Sequence, residues 1–173
     1  MEKQKYIELQ YLALREEILQ CRTRLFAIIT GGSAIVPAIQ MIADYYHAGV
    51  INLVLPIIVV VLIFLFISEN NALMRAGLYI RKHIEPCVQE YIGWETWLET
   101  NKDISPRRVD RYLNYSFYLV STLYYAGGVY LACNFAYSRL LPTFFVLLAV
   151  FYVLVGLVVL FIVIKRVLIN TSF

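Results

Sequence analysis

Leu53-Val-Leu-Pro-Ile-Ile-Val-Val-Val-Leu-Ile-Phe-Leu-Phe66 runs for fourteen residues without a charge, an amide or a hydroxyl. With its flanks it forms an apolar segment over 51–68, close to the roughly 20 helical residues that cross about 30 Å of hydrocarbon. Three further stretches read the same way: 25–46 before it, and 113–135 and 141–164 after it. The whole chain of 173 residues agrees, with 61% apolar residues and only 16% charged. Soluble domains carry about 25% charged residues, and lipid in place of water around much of the surface accounts for the deficit. The expected fold is all-α: a four-helix transmembrane bundle with helical extensions outside the bilayer.

Fourteen of the fifteen Lys and Arg residues lie in 1–24, in the long connection 69–112, or just after the last span; Arg139 is the exception. Positive charge stays on the cytoplasmic side. Both termini and the 69–112 section are therefore expected in the cytoplasm. Segments 25–68 and 113–165 hold the two span pairs, and 166–173 is a cytoplasmic tail. The apolar residues begin near Leu25 after a charged segment, so no cleavable signal peptide is expected. Cys21 and Cys87 would lie on the cytoplasmic side and Cys133 near the outer face, which argues against a disulfide framework or a zinc site.

Outside the spans the pattern stays helical. Ile7, Tyr11, Leu14 and Ile18 recur at steps of four, three and four, a coiled-coil stripe. No Gly or Pro separates it from residue 25. Either one helix projects from the membrane, or an amphipathic helix lies on the bilayer or packs on the 69–112 section. The second span is expected to continue through 70–83, with Leu73, Gly77, Ile80 and Ile84 on one face, until Pro86 interrupts it. A second amphipathic helix is expected over 88–99, and Ser105-Pro106 reads as a helix start.

The spans differ in polarity. Thr30, Ser33, Pro37, Gln40 and Asp44 fall within about 80° of helical arc. On the third span Asn114, Tyr118, Ser121, Tyr125, Gly128 and Ala132 form a similar stripe. Spans one and three are therefore expected to face protein, and spans two and four lipid, although Ala149, Tyr152 and Gly156 offer a small contact face. The stripes, with Thr30, Ser33, Gln40, Asp44, Ser121 and Tyr125 as key members, are open to two explanations. They serve ordinary helix packing, or they line a water-filled path in an oligomer. No charge sits at mid-depth, which argues against a proton relay.

Enzyme motifs are lacking: there is no HExxH, phosphate loop or nucleophile elbow. Seven residues separate Arg75 from His83, too many for the arginine–histidine spacing of some RNases. No catalytic residue, metal or cofactor is expected. The informative run is Glu69-Asn-Asn-Ala-Leu-Met-Arg-Ala-Gly-Leu-Tyr-Ile-Arg-Lys-His-Ile-Glu-Pro86. Arg75, Arg81, Lys82 and His83 either contact lipid phosphates from a salt-bridged juxtamembrane helix or form an anion site. Arg107, Arg108 and Arg111 would complete a basic collar in an oligomer, suited to a nucleotide or another phosphorylated ligand.

This run, with Leu9-Gln-Tyr-Leu-Ala-Leu-Arg-Glu-Glu-Ile18, resembles a family of small bacterial four-span inner-membrane proteins of unassigned function. The resemblance covers roughly 7–99 and supplies no catalytic residues. In size and layout the chain is also similar to the pore-forming membrane effectors of antiphage systems. That likeness implies a homo-oligomer in the bacterial inner membrane, opened by a nucleotide signal or a soluble defence protein on the cytoplasmic side. The competing expectation is a non-conducting anchor that recruits a soluble partner through 2–24 and 88–99.

Overall fold

The computed structural model describes residues 2–87, 93, 96–97, 100 and 105–171, with side chains placed for 5–87, 93, 96–97, 100 and 112–165. Four long helices carry the chain: α1 (Glu2–Tyr45), α2 (Leu55–Tyr79), α3 (Ser105–Arg139) and α4 (Pro142–Thr171). No strand occurs among the described residues. The expected helix over 88–99 lies largely outside the described residues.

α1 is continuous for 44 residues, so the N-terminal stripe and the first apolar stretch belong to one helix. Pro37 lies inside it, a position tolerated in apolar helices where neighbouring groups take up the freed carbonyl. α1 stops at a left-handed residue. His47 has φ 52°, the Ala48 amide reaches back to the Ala43 carbonyl at 2.9 Å, and the His47 amide to Asp44 at 3.3 Å. This is a Schellman closure, built on histidine where glycine is usual. A short 3-10 turn, Gly49–Leu53, then leads into α2.

α2 widens after Tyr79 into a π-turn over Ile80–Ile84, where the Glu85 amide bonds the Ile80 carbonyl, and then tightens into a 3-10 turn over Glu85–Cys87. The cause is local. Pro86 has no N–H to give to the carbonyl four residues back, and its ring crowds that carbonyl, so the regular ladder cannot continue.

Three helices are long and apolar enough to cross a membrane, within Lys5–Tyr45, Leu55–Cys87 and Pro142–Lys165, at mean hydropathies of 1.8, 2.2 and 3.3. α3 is not among them. Residues 113–135 are helical, but five tyrosines, two asparagines and several hydroxyls lower their hydropathy.

The chain forms two compact units. The first, Met1–Thr30 with Phe64–Asn114, is built on a cluster of Ile18, Ala76, Ile80 and Ile84, against which Ile7, Tyr11 and Leu14 pack. The coiled-coil stripe thus finds its partner in the continuation of α2, within the same chain. The second, Gly31–Ile63 with Tyr115–Phe173, buries Val36, Ala43, Leu55, Val59, Ile63, Tyr118, Ala132 and Tyr152.

The second span, expected to face lipid, has one covered face and one open face, the latter carrying Ile57, Val61, Phe64 and Leu65. Leu55, Pro56, Val59, Val60, Ile63, Phe66 and Ile67 are all buried, which makes α2 the most covered of the three apolar helices. Lipid tails are as apolar as a protein interior, so an aliphatic surface carries no instruction about which of the two it meets. α4 is mostly exposed apart from Tyr152 and Val159.

Candidate functional site

In the first unit α1 and α2 are tied by polar groups at the charged end of α1. Arg24 Nε lies 2.9 Å from Glu69 Oε2, and its Nη2 donates to Cys21 Sγ at 3.2 Å. Cys21 has no exposed surface and Glu69 is half-buried. Burial pushes the Cys21 thiol above its usual range, with Arg24 pulling it down and Glu69 adding to the rise. Arg24 is held protonated beyond its usual range by the hydrogen bond to Glu69. A covered, neutral thiol is a poor nucleophile and metal ligand, so this arrangement is a fastener. Further along, Gln10 donates to the Tyr79 hydroxyl at 2.9 Å, and Arg15 stacks 5.2 Å over the Tyr11 ring.

The basic run occupies the end of α2 and its π-turn. Arg75, Lys82 and His83 are exposed and Arg81 is half-buried, with His83 against Tyr79 at a ring separation of 4.9 Å. The turn supplies cations close to a membrane-length helix, and Arg81 is less accessible than the other three. Arg107, Arg108 and Arg111 fall in the first turns of α3, and their side chains lie outside the described residues. The Glu85 carboxylate accepts from the amide of Thr96 at 2.9 Å and from the Thr96 hydroxyl.

In the second unit two tyrosines join three elements. Tyr125 of α3 donates its hydroxyl to the Tyr152 carbonyl of α4 at 2.6 Å, and the Tyr152 hydroxyl donates to the Leu53 carbonyl. The second bond answers a defect created by Pro56. A turn carbonyl would accept from the residue three along, but Pro56 has no N–H, and the next amide, that of Ile57, goes to Val54 at 3.1 Å. Away from water a stranded carbonyl is costly, and the Tyr152 hydroxyl removes that cost. Sequence reading noted Tyr152 as a contact residue but missed this role; Pro56 three residues after Leu53 was the available signal.

The two polar stripes fare differently. Tyr118, Ser121 and Ala132 on α3 are buried and Tyr125 is half-buried. Gly128 meets α2 so closely that a Cβ there would stand 3.3 Å from the Pro56 nitrogen, whereas Gly127 faces open space. On α1, Thr30, Ser33 and Asp44 are exposed and Gln40 is half-buried, so within one chain this stripe faces protein only in part. The face that α1 buries is set by Gly32, Val36 and Ala43 instead. Thr30 turns its hydroxyl back to the Phe26 carbonyl at 2.9 Å, and Gln40 Nε2 donates to Asp44 Oδ1 at 2.9 Å. Ser33 and Ser121 both line a crevice of about 20 Å³, room for one water molecule, lined also by Gly32, Val59, Phe117 and Tyr124. Among the described residues no group of three or more His, Cys, Asp or Glu could hold a metal ion. No protein family, curated protein or solved structure matches the chain.

Proposed function

We propose that this chain is one subunit of a homo-oligomeric inner-membrane effector: a four-span protein with cytoplasmic termini that forms a gated, membrane-permeabilising path. The observation that carries this reading is the open polar stripe of α1. Thr30, Ser33 and Asp44 are exposed on a helix of membrane length, and α1 is the least covered of the three apolar helices. Facing lipid, a carboxylate and two hydroxyls would be unfavourable; facing an aqueous path shared by several copies, they would be solvated. α3 completes the fourth span. Tyr118, Ser121 and Gly128, which lower its hydropathy, are buried against the chain's own helices, where they need no lipid compatibility.

Gating from the cytoplasmic side fits the basic π-turn. Arg75, Lys82 and His83 offer donors to a phosphorylated ligand at the end of α2, on the helix that the Arg24–Glu69 pair ties to α1. A bacterial antiphage role follows the resemblance in layout to effectors of that kind. The test is reconstitution in proteoliposomes loaded with a self-quenching dye, exposed to a panel of cyclic and linear nucleotides. Ligand-dependent release that is lost in Arg75→Ala/Lys82→Ala supports the proposal. Tight vesicles with every nucleotide, together with a monomeric mass in detergent, overturn it and leave the anchor as the better account.

A further inference from the structure

α1 carries two faces in heptad register, and the chain fills one of them. The filled face is the stripe from Ile7 to Ile18 that packs against the continuation of α2. The second starts at Leu9. Alternating steps of three and four lead from it through Leu12, Glu16, Leu19, Thr23 and Phe26 to Thr30, where the polar stripe begins. Leu9, Leu12, Leu19 and Phe26 are 58%, 56%, 64% and 69% exposed. Together they leave roughly 500 Å² of apolar surface open, more than half of the ~800 Å² that one partner buries in a stable interface.

The chemistry of this seam inverts where the membrane stretch begins. In the segment assigned to the cytoplasm its members are Leu9, Leu12 and Leu19, interrupted by Glu16 and Thr23; Phe26 stands just inside the first span, and from Thr30 onward the members are two hydroxyls, Pro37, an amide and a carboxylate. Each half is the reverse of what its surroundings would favour if left uncovered. A soluble partner could cover the first half and lipid neither. A partner that suits both halves, in the same order and at the same depth, has the chemistry of α1 itself. We infer that α1 associates in parallel with α1 of a second copy of this chain through the seam running from Leu9 to Asp44. The apolar heptads drive association in water, and the Thr30-to-Asp44 half is thereby brought to the shared axis. Glu16 occupies one seam position, where a carboxylate limits tight pairing and favours a wider ring over a closed dimer. This inference rests on the homo-oligomer proposed above.

The experiment is oxidative cross-linking of the full chain in native membranes, after replacement of Cys21, Cys87 and Cys133 and confirmation that helicity is retained. Single cysteines are placed on the seam, as Leu12→Cys, Leu19→Cys and Ser33→Cys, and off it at exposed positions, as Glu17→Cys and Leu157→Cys. Native mass spectrometry in nanodiscs reads the subunit number, and Leu12→Glu/Leu19→Glu is measured in the otherwise unaltered chain. Same-position cross-links at the three seam sites, with roughly ten-fold or greater loss of oligomer in the double variant, are expected. An oligomer that cross-links as well at Glu17→Cys or Leu157→Cys as on the seam overturns the α1 interface and leaves the oligomer standing. An oligomer that tolerates the double variant does the same. A monomer overturns both.

Discussion

Replacing Tyr152 by Phe removes one oxygen and leaves the ring, so nothing is lost from packing and the effect isolates the bond to the Leu53 carbonyl. That carbonyl has no second donor at hand: Pro56 lacks an N–H, and the Ile57 amide is engaged by Val54. A buried polar group left unpaired costs about 1–3 kcal/mol. Leu53 is half-buried, which sets the expectation in the lower part of that range, a change of about 5- to 30-fold in the folding equilibrium. Tyr125→Phe is the internal control. Its acceptor, the Tyr152 carbonyl, lies mid-helix in α4 and keeps its intrahelical partner. The expected loss there is the ~0.6 kcal/mol average of hydrogen bonds between apolar helices. Reversible unfolding in mixed micelles, followed by circular dichroism, measures both. If Tyr152→Phe costs no more than Tyr125→Phe, the idea that the tyrosine satisfies a proline-stranded carbonyl is wrong.

Four other outcomes follow from the same geometry. His47→Gly relieves a side chain in a left-handed conformation and should raise stability by about 0.5–1 kcal/mol in that unfolding assay. Gly127 and Gly128 separate cleanly: Gly128→Leu should disrupt packing on Pro56 and lower expression and stability, while Gly127→Leu, which meets open space, should be tolerated in both. Exposed Cys87 should react with a membrane-impermeant maleimide in inverted vesicles and not in intact cells, whereas Cys21 should stay unlabelled until the protein is unfolded; labelling of Cys87 from outside would reverse the topology. Burial raises the Cys21 thiol, so its contribution to stability is whole below the ordinary thiol range near pH 9 and is lost as pH climbs through the raised value. Unfolding midpoints should therefore fall at alkaline pH more steeply in the natural chain than in Cys21→Ala.

The sequence displays the spans because membrane length and aliphatic content are written residue by residue, and α1, α2 and α4 need no tertiary context to be seen. The helix that continues α2 and its interruption near Pro86 were legible for the same reason, since a missing N–H acts locally. The Ile7-to-Ile18 stripe declared that it needed a partner without naming it; the naming required Ala76 and Ile80, some sixty residues away in the chain. The Cys21–Arg24–Glu69 fastener was illegible because a lone cysteine, an arginine and a glutamate have no signature until two helices align them.

Polarity misled where lipid changes its meaning. In water a polar stripe marks the outside and an aliphatic one the core. In a membrane the rule does not simply reverse, because an aliphatic side chain is equally at home against lipid and against another helix. Hence α2, the purest run of Val, Ile, Leu and Phe near the middle of the chain, buries one full face, from Leu55 to Ile67, while α4, equally aliphatic, buries little beyond Tyr152 and Val159. Polar residues remain informative in one direction, since they disfavour lipid. α3 resolves that demand inside the chain, with Tyr118 and Ser121 buried and Gly128 against Pro56. α1 does so only in part: Thr30 and Gln40 find partners within the helix, yet Thr30, Ser33 and Asp44 stay exposed, and that open side is the part of the fold that a single chain leaves unfinished.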